Sequence, residues 1–180
     1  APLDAAFVVN HYEKSELIRI IRDYGEEKFA GKIAEKICKR REERPIERTG
    51  ELVEIIKSAF PDGGRYLKHH PAMRTFQAIR IEVNGELDAI RPAIESATGL
   101  LAPNGRIAII TFHSLEDRAV KEAFAQLAQG CTCPRDFPVC VCGNKPKIKI
   151  VSKKPIVSSP EELKENPRAH SAKLRVAEKL

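Results

Sequence analysis

An α/β class is predicted for this chain, with helices in the first hundred residues and a short run of strands in the last eighty. Three observations carry that expectation. Up to about residue 100, apolar residues recur every three or four positions, the spacing of a single helical face. Residues 106–112, "RIAIITF", form a short β-rich apolar run, read as a buried strand, and a helix-like stretch follows at once. Residues 147–153 and 171–179 alternate apolar and polar side chains, as half-buried strands do. One buried strand and two alternating ones cannot complete an α/β sheet. The expectation is the end of a sheet whose beginning is missing.

The helices are justified in turn. Leu17, Ile21 and Tyr24 share one face, as do Phe29, Ile33 and Ile37 with the small Ala30 and Ala34 beside them. Pro45 breaks the chain, and Thr49 is the expected cap of a third helix carrying Leu52, Ile56 and Phe60. Pro61-Asp62-Gly63-Gly64 ends it. A stripe through positions 76, 79, 83, 87, 90 and 94 describes one long helix or two abutting ones, because Asn84-Gly85 and Pro92 interrupt it. After the turn Pro103-Asn104-Gly105 and the strand, a helix over 116–127 carries Val120, Phe124 and Leu127. Ser159, Pro160 and Glu162 form the opening of a short helix, and Leu174 and Val176 are the apolar positions of the last strand.

A hydrophobic fraction of 42% and a mean hydropathy of −0.33 suit a soluble globular chain. No apolar run approaches the ~18 residues of a membrane span, and no leader pattern opens the sequence, so the expected location is cytoplasmic, with no membrane partner. The net charge of +6 is unevenly placed: residues 143–180 hold ten Lys/Arg against four Asp/Glu, and the rest balances. A basic tail is either a solvated surface or the footprint of an anionic partner, most simply a nucleic acid. Arg65, Lys68, His69 and Arg74, with Lys147 and Lys149 in the lysine-rich strand, are the residues that could follow a phosphate backbone. Tyr66, Phe76 and Phe112 are the aromatic candidates for base stacking.

Two clusters invite chemistry. At "FHSLEDR", residues 112–118, Ser114 and Asp117 have the spacing of a helix cap, while Phe112 and His113 stand at the carboxyl end of a strand, where α/β proteins place their sites. A Ser-His-Asp nucleophile is disfavoured, because adjacent His113 and Ser114 on an extended turn point in different directions and no Gly-x-Ser-x-Gly elbow exists. Cys131-x-Cys133 and Cys140-x-Cys142 bring together four thiols, which suit a tetrahedral zinc ion, reduced loop thiols or disulfides. Cys38 stands alone on a helix, and His69-His70 lack a third ligand at metal spacing. The ten glycines never form Gly-x-Gly, so nothing cradles a nucleotide-type cofactor in the common way.

Several stretches together carry a family resemblance: "PLD" at 2–4, "YGEEKFAGKIAEKI" at 24–37, "HPAMRTFQAIRIEVNGEL" at 70–87, "LLAPNGRIAIITFHSLEDRAVK" at 100–121, "CTCPRDFPVCVCG" at 131–143 and "ENPRAHSAKLRVAEK" at 165–179. The set covers nearly the whole chain and resembles the bacterial 16S ribosomal RNA cytosine-N(4) methyltransferases, which use S-adenosylmethionine. The resemblance implies a helical insertion domain over residues 1–83. Residues 84–180 would then be the carboxyl-terminal part of a class I, Rossmann-like methyltransferase domain with a Cys-rich loop at 130–143. Of its strands, one would be parallel and two antiparallel, and the amino-terminal half of the sheet is absent. It implies 16S ribosomal RNA in the small subunit as partner. The family's cofactor loop, its ribose-binding acid and its fourth strand would precede "PLD", so no cofactor ligand or catalytic residue is assigned to this chain. It is expected to be inactive alone. Phe112 and His113 remain candidates for the lining of the target-base pocket. Three positions depart from the family: Ala5-Ala6-Phe7 replaces a Met-Arg-Met-Asp-like run, Gly85 stands where a polar residue is usual, and His170 where Arg is common. Two rival readings follow from composition, a stand-alone basic RNA-binding module held by zinc, and a helical piece that forms a homodimer through apolar surface.

Overall fold

The computed structural model describes residues 3–134, 139 and 141–180. The chain divides into two compact units, residues 1–86 and residues 87–180.

The first unit is helical. Helix α1 (Ala5–His11) starts at Asp4, whose carboxylate accepts from the Phe7 N–H at 2.7 Å. Helices α2 (Lys14–Asp23), α3 (Ala30–Glu43), α4 (Thr49–Ser58) and α5 (Met73–Asn84) complete it, with a 3₁₀ turn at Pro61–Gly64. Thr49 is the first helical residue of α4 rather than its cap; Arg48 holds the cap position without a side-chain bond. Leu17, Ile20, Ile21, Ile33, Ile37 and Ile56 are fully buried and form the core, as the three-and-four spacing requires. Polar ties close its irregular ends. Asn10 bonds the backbone of Ile46 in both directions at 3.0 and 2.8 Å, and Arg41 donates to the carbonyls of Val9 and Tyr12 at the end of α1. The long stripe is two helices: α5 stops where Gly85 turns left-handed at φ 60°.

The second unit begins with α6 (Ile90–Leu100), which accepts Pro92 because it falls in the first turn. Strand β1 (Arg106–Thr111), helix α7 (Ser114–Ala128), strands β2 (Ile148–Ile150) and β3 (Ile156–Val157), helix α8 (Pro160–Glu165) and strand β4 (Lys173–Lys179) follow. Ser159 caps α8 as expected, accepting from the Glu162 N–H at 3.2 Å. β4 is central: β1 pairs one edge, and β2 and β3 share the other, all antiparallel. The register of β3 is offset from that of β2, and the intervening bulge sends both the Val151 and Ser152 N–H to the Val176 carbonyl. Among the described residues no parallel ladder occurs.

Two expectations are corrected by packing. β4 buries Arg175 and Ala177 toward α7, whereas Leu174 and Val176 are only half-buried on the other face. β1 is not buried on both faces. Ile107, Ile109 and Thr111 turn toward the helices, but Ile110 is 59% exposed and Phe112 56%. The core beneath is Ile94, Val120, Phe124, Leu127, Ile148 and Ala177.

Candidate functional site

The carboxyl end of β1 is a strand-to-helix turn, the place where an open α/β sheet binds ligands. Here the turn is closed by its own side chains. His113 is the cap of α7, its Nδ1 accepting from the Glu116 N–H at 3.3 Å. The Glu116 carboxylate returns to the N–H groups of Phe112 and His113 at 2.8 and 3.2 Å. Ser114 and Asp117, the expected cap pair, are displaced by one residue: Ser114 is the first helical residue. Asp117 instead receives the Arg175 guanidinium in two bonds of 2.6 and 3.0 Å, with the Lys173 ammonium 3.6 Å away. The paired guanidinium holds the Asp117 carboxyl below the usual aspartate range, against the opposing effect of partial burial. This reciprocal His113–Glu116 box could have been read from the His-x-x-Glu spacing; a histidine in the acceptor role hid it. The imidazole acceptor nitrogen is thus engaged, and Phe112 offers the exposed aromatic surface at the strand end.

Beside this turn the outer edge of β1 carries no strand among the described residues. A cavity of about 410 Å³ opens along it, walled by Ile90, Ile94, Ile107, Ile109 and Val120. Among the described residues no glycine-rich turn stands at this edge to take a nucleotide-type cofactor, and the His113–Glu116 box fills the turn between β1 and α7. These residues do not fit such a group by themselves.

The basic candidates fall in both units. In the helical unit, Lys68, His69 and Arg74 line a cavity of about 350 Å³ with Phe29 and Phe60 on its wall. Arg74 also donates to the Glu26 carbonyl at 3.0 Å, and Arg65 stands outside this lining. Tyr66 is 90% exposed, whereas Phe76 is half-buried against the helical core. His70 Nδ1 accepts from the Ala72 N–H at 3.2 Å, a local turn role. In the sheet unit, Lys147 and Lys149 are exposed at the start of β2.

Of the four clustered cysteines, Cys140 lies outside the described residues. The sulfurs of Cys131, Cys133 and Cys142 all lie within 4.8 Å of one another. Cys38 is half-buried against the core of the helical unit, remote in sequence and structural in role.

The family model described as the MraW methylase family matches residues 1–180. The chain belongs to the MraW methylase family. Among its similar curated proteins, the ribosomal RNA small subunit methyltransferase H of Heliobacterium modesticaldum is 58% identical over 178 residues, 99% of this chain and 57% of that protein. The proteins of the same name from Brevibacillus brevis and Symbiobacterium thermophilum are 53% and 55% identical, over 100% and 99% of this chain. This member of the MraW methylase family therefore spans a little over half the length of the curated relatives it matches. No helix among its described residues is long and apolar enough to cross a membrane.

Proposed function

We propose that this chain is the carboxyl-terminal part of an S-adenosylmethionine-dependent methyltransferase acting on the exocyclic amine of a cytosine in 16S ribosomal RNA. One observation carries the division of labour: among the described residues β1 presents an unpaired edge and an apolar groove, in a chain covering 57% of a relative 58% identical to it. An exposed strand edge beside an apolar cavity is a costly surface for a finished domain. In this reading a parallel strand from the remaining part of the longer protein pairs β1 and completes a Rossmann-like sheet, and residues 1–83 are a helical insertion.

The cofactor, when bound, supplies a sulfonium methyl group; its ligands are assigned to the part of the longer protein outside this chain. What these residues do is position. Phe112 turns an aromatic face outward at the strand end, where a target base can stack. The His113–Glu116 box fixes that turn. Lys68, His69, Arg65 and Arg74 from the helical unit, and Lys147 and Lys149 from the sheet unit, neutralise phosphates of the ribosomal RNA. The reaction needs positioning and an acceptor for the amine proton, and this chain alone, lacking the cofactor part, is inactive. The reading implies a cytoplasmic protein working on the small ribosomal subunit.

The test is transfer of a labelled methyl group from S-adenosylmethionine to unmodified small subunits. The longer protein transfers it, residues 1–180 alone do not, and adding the missing part restores transfer. Micromolar binding of S-adenosylmethionine by residues 1–180 alone overturns the proposed division. Transfer-free, salt-dependent RNA binding by the longer protein would instead favour a non-catalytic RNA-binding module, and a concentration-dependent mass would favour a second copy on the β1 edge.

A further inference from the structure

Among its described residues, the loop between α7 and β2 buries no apolar side chain. Val139 and Val141 are 70% and 74% exposed, so neither is held by burial. Its neck is nevertheless tied. The Asn144 side-chain amide donates to the carbonyls of Gln129 and Gly130 at 3.2 and 2.8 Å, and the Lys147 N–H donates to the Leu127 carbonyl at 2.7 Å. What this neck holds together is sulfur. Cys142 Sγ lies 3.7 Å from Cys131 Sγ, and Cys133 Sγ completes a triangle whose sides are all within 4.8 Å.

The spacing matches a metal rather than a covalent bond. A sulfur–sulfur bond is about 2.05 Å, far shorter than 3.7 Å. A tetrahedral zinc ion with Zn–S distances of about 2.3 Å puts its sulfurs about 3.8 Å apart, so the Cys131–Cys142 separation is one tetrahedral edge. The backbone supplies a second, independent observation. The N–H groups of Thr132 and Asn144 point at Cys142 Sγ at 3.4 and 3.5 Å, and the Val141 N–H points at Cys133 Sγ at 3.4 Å. Two amide donors at Cys142 Sγ and one at Cys133 Sγ hold these sulfurs in place, the outer-shell support that metal ligands need.

We propose that Cys131, Cys133 and Cys142 supply three ligands of a structural zinc ion in this loop. Soft thiolates select zinc over magnesium, calcium or manganese, and the exposed position gives the ion an entry path. The zinc clamps the loop against the end of α7 and the start of β2, and so fixes the approach to Lys147 and Lys149.

The experiment uses the longer protein, purified without chelators or added metal. Its zinc content is measured by elemental mass spectrometry, and Co²⁺ is then titrated into the chelator-stripped protein. The expected result is about one zinc per chain and a thiolate-to-cobalt charge-transfer band with the intense visible absorption of a tetrahedral site. Cys131→Ser and Cys142→Ser abolish both signals, whereas Cys38→Ala keeps them. Chelation increases proteolytic cleavage within residues 130–145, and zinc reverses it. The proposal is overturned by zinc far below one per chain with no cobalt band, by a band that survives the Cys131→Ser/Cys142→Ser double variant, or by a Cys131–Cys142 disulfide in freshly purified protein. If the serine variants fail to fold, the cobalt spectrum of the unaltered protein still decides.

Discussion

Asp117→Asn tests whether the end of α7 is locked to β4 by charge. The Asp117 and Arg175 side chains are only 13% and 9% exposed, and two short bonds join them. Asparagine keeps the shape but leaves the guanidinium buried without a counter-charge, and turns one acceptor into a donor facing Arg175. Removing one member of a buried pair costs about 3–5 kcal/mol, and the second cation, Lys173 at 3.6 Å, adds to the uncompensated charge. With a urea slope of about 2 kcal/mol/M, a loss of ~3 kcal/mol moves the midpoint down by about 1.5 M. Urea unfolding followed by far-ultraviolet circular dichroism measures this, and hydrogen exchange of the β4 amides locates it. The pH dependence has a definite sign. Because Asp117 titrates below its ordinary 3.8 when folded, its contribution is present above that value and disappears as pH falls through the lowered folded value. The gap between Asp117→Asn and the parent protein therefore closes in acid. A midpoint shift worth less than about 1 kcal/mol at neutral pH, the range of exposed pairs, would refute the argument.

Four further outcomes are expected. Gly25→Ala places a Cβ 2.5 Å from the Ile21 carbonyl oxygen and 2.8 Å from that of Arg74; neither backbone atom can yield cheaply, and a loss of about 3 kcal/mol in the same urea assay is expected. Gly85→Ala meets no atom within 4 Å but must hold φ 60°, so it costs about 1 kcal/mol, and Gly85→Asn less, as thermal unfolding will register. Changing Lys147 and Lys149 together to Ala weakens RNA binding uniformly across sequences and lowers the slope of log affinity against log salt by about 2, measured by filter binding. His113→Asn retains a cap acceptor for the Glu116 N–H and removes the imidazole; methyl transfer by the longer protein should stay within about threefold, whereas a loss of about 10² would make the ring an acid–base group.

The helical unit was legible because its core is local. Ile33, Ile37 and Ile56 fall on stripes set by the 3.6-residue period, and no distant partner is needed to say which way they face. The break at Gly85 was legible for the same reason, since a left-handed residue ends a helix wherever it stands. Strand β4 was legible as a strand but not as to its buried face. Alternation identifies two faces but not which is buried, and apolarity favours Leu174 and Val176. The structure buries Arg175 because Asp117 waits for it across the helix–sheet interface, 58 residues away in sequence. A charge that is paired can occupy an interior position, and pairing at that separation leaves no local trace.

The same limit explains the strand end. Ser114 and His113 are adjacent, and which of them caps α7 depends on where the backbone leaves the extended region, a single-residue difference that propensity favours settling for serine. Glu116 decides it otherwise, because its carboxylate reaches both the Phe112 and His113 N–H groups and so rewards a helix that starts one residue earlier. The cost of a histidine cap is then offset by the three bonds of the reciprocal His113–Glu116 box. The consequence for function is directional. The Glu116 carboxylate takes the Phe112 and His113 N–H groups and so keeps those two donors from an anionic ligand, and the exposed Phe112 ring is the surface at this end of β1 that suits the base contact proposed above.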